Sequence, residues 1–557
     1  MKTHLQYFYD KAKQTPDEIF LRQPTGDIWH EITWKQAHDE AAKMANYITS
    51  LGFPKGSNIA IVSKNCDHWI LADLAIMMSG HVSTPFYPNV SANELKFLVE
   101  RSDARLLFIG KLDIPIWENM KEAVPTDLPI VSFPHYKGNG HVESGKKWKD
   151  ITQNITALDN PNQPKLDDIW TILFTSGTTG EPKGVMLNYN SAAQLMAMEG
   201  KEHVIGVFKN IDQKFIYFSY LPLNHIAERM IVQVACFFTG GSISFSESLE
   251  RFVFNLQAVQ PNMFMSVPRI YTKFRSAIID KLGEGKLNLL LKIPIVSGII
   301  KKKIRKGLGL GRAFTVMTSA APAPQPLKDW FNKLDIHLRE AYGMTENSAG
   351  FCFMPENQIK PGTVGKPIPG VEVKIIPETG EICMRAPWNM VGYYKDDKRT
   401  AETIIDGWLH TGDKGNLDQD GHLILTGRVS DTFKTSKGKF IDPGPLEWQL
   451  SANTAIEQIC VTGSGMPQPI ALVVLSESGK NTEQKELDES IEESMKSLNE
   501  QNSSYQHIQK IIIVKEEWTV DNGLLTPTLK IKRNQMNQKY SQQYEKWSNS
   551  KETIIRQ

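Results

Sequence analysis

The chain has 557 residues, 41% of them hydrophobic, with Lys plus Arg at 63 against Asp plus Glu at 62. That length calls for roughly two to four domains of ordinary globular composition, and so even a charge balance sets up no global field for nucleic acid. Five scattered cysteines, Cys66, Cys236, Cys352, Cys383 and Cys460, form no C-x-x-C pair, which argues against a disulfide framework or zinc site and for a reducing compartment. The N-terminus lacks a signal peptide's apolar core, and no run reaches the roughly 18 apolar residues of a spanning helix. A cytoplasmic protein without a transmembrane segment is expected.

Up to about residue 135, strand-like and helix-like segments alternate. Residues 57–62 read as a buried strand, 69–78 as an apolar helix ending at Gly80, and 106–109 as the next strand. Ser91 and Glu94 have capping-box spacing ahead of a helix to about Arg101. This alternation predicts a mostly parallel sheet with helices on both faces. Residues 135–168 turn polar and rich in Gly, Lys and Asn, which predicts a long surface connection.

The densest signal follows a β-rich run at 169–174: Thr175-Ser176-Gly177-Thr178-Thr179-Gly180-Glu181-Pro182-Lys183-Gly184. Its glycines let the backbone turn tightly and present N–H groups to an anion. Four hydroxyls and Lys183 add donors and a mobile positive charge. Such a loop suits a polyphosphate. It is not a Walker A loop, since Pro182 precedes Lys183 and no Ser or Thr follows it.

Further on, residues 220–229 include His225 and Arg229, and residues 261–271 run Pro-Asn-Met-Phe-Met-Ser-Val-Pro-Arg-Ile-Tyr. A lone histidine is more often structural than catalytic. The apolar segment beginning at Leu287 runs into a basic cluster that ends at Lys306. An apolar patch beside basic charge is what a peripheral protein rests on an anionic membrane; a core-packed helix pair with a solvated charged end is the competing reading. Residues 340–346, Glu-Ala-Tyr-Gly-Met-Thr-Glu, read as a strand end turning into a loop. There Tyr342 can stack on a purine, Thr345 can meet a phosphate oxygen and Glu346 can hold a cation. In Gly-Trp-Leu-His-Thr-Gly-Asp at 407–413, Asp413 can accept both ribose hydroxyls or merely cap a turn. The chain changes character near residues 426–431, and beyond them it reads as a compact unit. That unit has a strand at 471–475, an acidic helix with Leu487, Ile491, Met495 and Leu498 on one face, a strand at 511–514 and a loosely held end after Tyr540. Lys530, Lys532 and Arg533 follow a Pro-containing loop, where a solvated basic strand is the plain reading.

Taken in order, these motifs resemble the adenylate-forming enzymes, the superfamily of acyl-CoA synthetases, luciferases and peptide-synthetase adenylation domains. Residues 220–229 and 261–271 resemble its long-chain fatty acyl-CoA synthetases. The resemblance runs from about Tyr7 to about Tyr540. It implies an α/β fold, with a large N-terminal domain of doubly wound sheets (1–428) and a small, mobile α+β C-terminal domain (429–557) closing on ATP. By this resemblance Thr175, Ser176, Gly177, Thr178, Thr179, Gly180 and Lys183 wrap the β- and γ-phosphates. Ala320 and Ala321 line the adenine side, Tyr342 and Gly343 lie against adenine, and Thr345 reaches the α-phosphate. Glu346 and Thr179 hold Mg²⁺, while Asp413 and Arg428 contact the ribose or a phosphate. Lys530 is the catalytic cation, Ser430 the hinge, and His225, Arg229 and Gly438 belong to the acyl and coenzyme A side.

The implied reaction turns a fatty acid and ATP into acyl-AMP and pyrophosphate, then passes the acyl group to coenzyme A. Two alternatives are an acyl-AMP ligase serving a carrier-protein thiol and a catalytically silent ATP- or lipid-binding scaffold. Tyr189, Thr272, Ser319, Ser430 and Asp442 depart from the family pattern: a histidine is usual at 189, a glutamate at 272, a glycine at 319, Asp or Lys at 430, and an apolar residue at 442. Asp442 is expected near the thiol path, which favours the carrier-protein alternative.

Overall fold

The computed structural model describes residues 1–175, 181–202, 214–321, 323–355, 359–520, 522–526 and 530–557. Among these, the largest sheet has eight strands. Its parallel centre pairs Ile169–Thr175, Val82–Phe86, Asn58–Ser63, Leu107–Gly110 and Ile130–Ser132, and Lys146–Lys147 extends it. Lys183–Asn188 and then Gly392–Tyr393 close the other edge antiparallel. The helix Asp67–Met78 backs this sheet; every residue from Trp69 to Met78 is without accessible surface, so that stretch is apolar on all sides except for Asp73, an equally enclosed acid. Each such aliphatic side chain contributes about 1.5–3 kcal/mol by leaving water.

A second parallel run, Met263–Ser266, Thr315–Thr318 and Leu338–Tyr342, continues antiparallel into Cys352–Phe353 and Lys366–Pro367. A four-stranded sheet joins Ile216–Ser219 and Ser242–Phe245 to the N-terminal hairpin Ile19–Thr25 and Ile28–Thr33. An antiparallel sheet follows, in which Trp408–Leu417 pairs with Leu423–Arg428 and places Asp413 opposite Arg428. Beyond Ser430 the chain builds its own sheet from Ile456–Thr462, Ile470–Leu475, Ile511–Ile513 and Ile554–Arg556, with a core on each face. The molecule is α/β, with a large N-terminal part and a smaller C-terminal one.

Two expectations need correcting. The connection before the phosphate loop is not bare surface chain: it carries Lys146–Lys147 and the helix Trp148–Gln153, with Trp148 1% exposed against Phe108 and Phe133. The end after Tyr540 is anchored as well. Met536, Tyr540, Tyr544 and Trp547 of the helix Arg533–Ser548 are buried, and Ile554–Arg556 adds a parallel strand. Its Gln- and Ser-rich composition hides aromatic residues at helical spacing.

Candidate active site

Three strand ends meet at the cleft. Thr175 ends its strand directly opposite Lys183, so the candidate phosphate-binding stretch joins two paired antiparallel strands. Ser176, Gly177, Thr178, Thr179 and Gly180 lie outside the described residues. The buried Thr175 hydroxyl has no hydrogen-bond partner among the described residues, an orphan that a phosphate oxygen would satisfy. Lys183 turns back over the sheet and reaches Glu346 Oε1 at 2.6 Å and Tyr393 Oη at 2.6 Å, while Tyr393 donates to the same Glu346 oxygen at 2.7 Å. Burial alone would raise the pKa of Glu346, but the Lys183 charge and these two hydrogen bonds hold it below the usual carboxylate value. Both of these hydrogen bonds fall on Oε1, so Oε2 is the carboxylate oxygen that could hold a cation.

The second strand end delivers Tyr342. Gly343 follows because a Cβ there would stand 2.5 Å from the Ala349 backbone; the chain then folds into the short helix Thr345–Asn347, with Thr345 and Glu346 buried. Tyr342 donates to Asp413 Oδ2 at 2.5 Å, and Arg428 Nε donates to Asp413 Oδ1 at 2.7 Å. Both carboxylate oxygens of Asp413 are thus fixed in place. At the third strand end Ser319 donates to the Ala341 carbonyl at 2.9 Å, and Ala320 is held at φ +70°. That left-handed conformation is costly for alanine and typical of binding loops. Ala321 is exposed beside it.

Lys530 brings the small domain to this cleft. Its side chain is accessible to solvent yet ringed by protein. Partial desolvation, and then the like charge of Arg428, lower its pKa against the pull of Asp413 and Glu346. Its ammonium makes no hydrogen bond or ion pair among the described residues. Lys532 goes elsewhere: it stands just before the helix Arg533–Ser548 with no capping bond from its side chain, and its charge is felt by Glu94 of the large domain. His225 is the N-cap of the helix Ile226–Glu228. Its Nδ1 accepts the Ala227 N–H at 3.2 Å, so a neutral ring carries its proton on Nε2. Burial and the charge of Lys530 push it down to about 4.

Arg229 is corrected. It has no exposed surface, and its guanidinium is spent on partners inside the core. It donates to both oxygens of the equally buried Asp73 at 2.6 and 2.7 Å, and to Thr171 Oγ1 and Gln233 Oε1, stacked over Trp170. Gly438, at φ +76°, turns the exposed hairpin between Phe433–Lys434 and Phe440–Ile441 and makes no hydrogen bond to the cleft residues. Ser430 is exposed in the single turn Val429–Asp431. Asp442 is already paired, with Lys414 Nζ at 2.8 and 2.9 Å and with the Thr432 hydroxyl. Arg269 has taken Glu457 as its partner at 2.6 Å, where Thr272 leaves none on its own helix.

Sequence reasoning missed Tyr393, Glu381 and Glu228. Glu381 accepts the Gly412 N–H at 3.0 Å and His410 Nδ1 lies 3.0 Å from it, which braces the strand presenting Asp413. Glu228 accepts from Ser219 Oγ and the Tyr220 N–H, bracing the helix that His225 caps; burial raises its pKa to about 8. Tyr393 meets Lys183 from 210 residues away, so no local pattern marks it.

The sequence matches the AMP-binding enzyme family over residues 8–394 and the AMP-binding enzyme C-terminal domain over residues 430–552. It is 29% identical to long chain acyl-CoA synthetase 2 of Arabidopsis thaliana, across 96% of this chain and 90% of that one. It is 31% identical to long chain acyl-CoA synthetase 3 of the same plant, across 80% and 73%. Among solved structures it is similar to the anthranilate CoA ligase AuaEII in complex with anthranoyl-AMP, with a TM-score of 0.79, 20% identity and 97% of each chain covered. At that identity the likeness speaks for the fold.

Proposed function

Starting from a chain that belongs to the AMP-binding enzyme family, we propose that it is an acid–thiol ligase joining a long-chain fatty acid to coenzyme A. The acid carboxylate attacks the α-phosphorus of ATP, the bond to pyrophosphate breaks, and the acyl-AMP formed is attacked at its carbonyl by the thiol, releasing AMP. A carboxylate is a poor electrophile, and adenylation supplies the leaving group that a thiol can displace.

The observation that carries this reading is the convergence of Lys530 with Asp413, Arg428, Glu346 and His225 across the junction of the two parts. Two anions must approach each other, and a cation with no ion pair among the described residues would stabilise their charge as it develops. Asp413, held by Tyr342 and Arg428, would take the ribose hydroxyls, and Tyr342 and Gly343 would lie against the base beside Ala320 and Ala321. Thr345 would donate to the α-phosphate, and Thr175, Lys183 and the loop between them would hold the β- and γ-phosphates. Glu346 and Thr179 would be the ligands of Mg²⁺, which when bound neutralises phosphate charge. His225, neutral at physiological pH, would position the carboxylate and then the thiol through Nε2–H. Ser430 is the hinge we assign, with domains at 1–428 and 429–557, so that the small domain presents Lys530 for one step and another face for the next.

The carrier-protein alternative loses its one sequence hint, because the charge of Asp442 is paired within the protein. A cytoplasmic location is supported by five cysteines that are all free and buried. Fatty-acid-dependent ATP–pyrophosphate exchange, followed by AMP release on adding coenzyme A, tests the proposal. No exchange with any acid would leave the silent scaffold. Exchange without transfer to coenzyme A, but with transfer to a carrier-protein thiol, would establish the other ligase.

A further inference from the structure

The helices Glu284–Leu291 and Pro294–Gly307 form a hairpin that packs on the body through one side. Leu287, Ile304 and Leu308 are buried there in the cluster built around Phe264, Tyr271 and Trp330. On the second helix, positions 295, 299, 302 and 306 fall on the opposite side, half a turn or so away from Ile304. That outward stripe begins with Ile295 and Ile299, which are 81% and 62% exposed, and runs directly into the exposed Lys302 and Lys306. Leu289 and Ile293, 63% and 45% exposed, bring further apolar surface to the bend of the hairpin. Lys286, Lys292 and Lys303 are exposed as well, and Glu284 is the acid on the two helices. Inner cations have protein partners: Lys301 pairs with Asp335 and Arg305 donates to the Ala313 carbonyl. Lys302, Lys303 and Lys306 make no ion pair among the described residues.

We propose that this hairpin docks the protein on an anionic lipid surface, with the isoleucine end of the stripe among the acyl chains and the lysine end at the headgroups. Single exposed aliphatics are ordinary on a protein surface, but four on one hairpin, continuous with unpaired lysines in a chain of nearly balanced charge, are not. The charge selects the occupant. An apolar protein groove would cover the isoleucines and leave the lysines unanswered, whereas a bilayer of anionic lipid meets both at their own depths. Among the described residues no helix is long and apolar enough to cross a membrane, so the contact is one of lying on the surface. The inference deepens the reading of the protein as a fatty-acid ligase, since such acids partition into bilayers.

The binding readout itself needs no turnover. The purified full-length protein is sedimented with phosphatidylcholine vesicles, with and without phosphatidylglycerol, over a range of salt concentrations. Binding should require the anionic lipid and weaken as salt rises. Ile295→Ser with Ile299→Ser should lower vesicle affinity on the order of tenfold, and Lys302→Ala, Lys303→Ala and Lys306→Ala together should lower it about a hundredfold. A Leu289→Trp reporter should shift its emission to the blue on adding anionic vesicles. Adenylation of a short, water-soluble acid should be unchanged in all three variants, which also verifies their folding. No binding, equal binding to neutral vesicles, or indifference to both sets of substitutions would overturn the proposal. A dimer that the isoleucine variant dissociates, with no vesicle binding, would assign the face to a second copy of the chain. Vesicle binding by a protein that ligates no fatty acid would instead sink the functional reading and leave the docking intact.

Discussion

Lys530 and Lys532 are two residues apart and face different surroundings. The first feels Arg428, Asp413 and Glu346, the second Glu94. Lys530→Ala should therefore cut acyl-adenylate formation by roughly 10²–10³-fold, the size of one lost contact to developing charge, and nearly spare thioester formation from pre-made acyl-AMP. Lys532→Ala is the control, and a larger loss there would reverse the assignment. His225 yields a prediction with a definite sign. The folded protein holds it at about 4 against 6.5 when free, so between those values the unfolded chain binds a proton that the folded chain refuses. Its contribution to stability is complete above about pH 6.5 and is lost as pH falls towards 4. His225→Gln should flatten the fall in Tm between neutral and mildly acidic buffer, and an unchanged slope would mean that the ring is not desolvated. Arg229, by contrast, is a folding residue. Removing one partner of a buried pair costs about 3–5 kcal/mol, so Arg229→Ala should show first as a lower Tm, with any change in coenzyme A affinity secondary.

At the scale of elements, the strand Trp408–Leu417 delivers two successive acts. Asp413 faces Arg428 and Tyr342, and its neighbour Lys414 crosses to Asp442, beyond Ser430. The pair spans the proposed hinge and holds the small domain where Lys530 meets the cleft, helped by Arg269 and Glu457. Under a two-orientation cycle, Lys414→Ala should slow adenylation by about fivefold, the worth of a partly exposed ion pair, and leave or speed the thiol step. Exchanging the charges, Lys414→Asp with Asp442→Lys, should restore the balance. Equal slowing of both steps would make the pair a plain structural contact. Ser430→Pro is the complementary trap: with φ fixed, one half-reaction should survive and the other fall, and survival of both would place the pivot elsewhere. How much of this could be read beforehand follows from distance along the chain. The loop ending at Lys183, the Tyr342–Glu346 turn and Asp413 each carry their chemistry in a few consecutive residues, so composition and spacing mark them. Tyr393 and Glu381 act across folds of the chain, and the Lys414–Asp442 pair closes only when strand and hinge are built. Arg229 misled for the reverse reason: it stands beside His225 in sequence, but the backbone turns it inward to Asp73.

For the whole molecule, the alternation of strand and helix was enough to fix a layered α/β architecture, because burial on both faces of a parallel sheet forces short apolar strands such as residues 59–62 and 107–109. The outer edge strand Gly392–Tyr393 and the anchored C-terminus were not legible, since the pairings there are short and reach far along the chain. The acyl group is likewise a property of the whole large domain, where the strands Ile216–Ser219 and Met263–Ser266 precede residues 220–229 and 267–271. Burying a CH₂ group in an apolar channel is worth roughly 0.8 kcal/mol, so four more carbons can contribute about 3 kcal/mol, on the order of a 200-fold gain in kcat/KM if the binding is expressed in the transition state. Activity with saturated acids kept below their micelle concentration should rise steeply from about C8 to a limit near C14–C18 and fall where the channel ends. The proposed vesicle contact acts on a different quantity: it changes how much acid the enzyme sees, not how tightly the bound acyl chain is held. Anionic vesicles should therefore raise the rate with the long acids, leave that with the short ones, and lose their effect in high salt, while the chain-length limit itself stays put. A flat or falling series beyond about C6, or a preference for an aryl acid, would remove the fatty-acid assignment even with the adenylation chemistry intact.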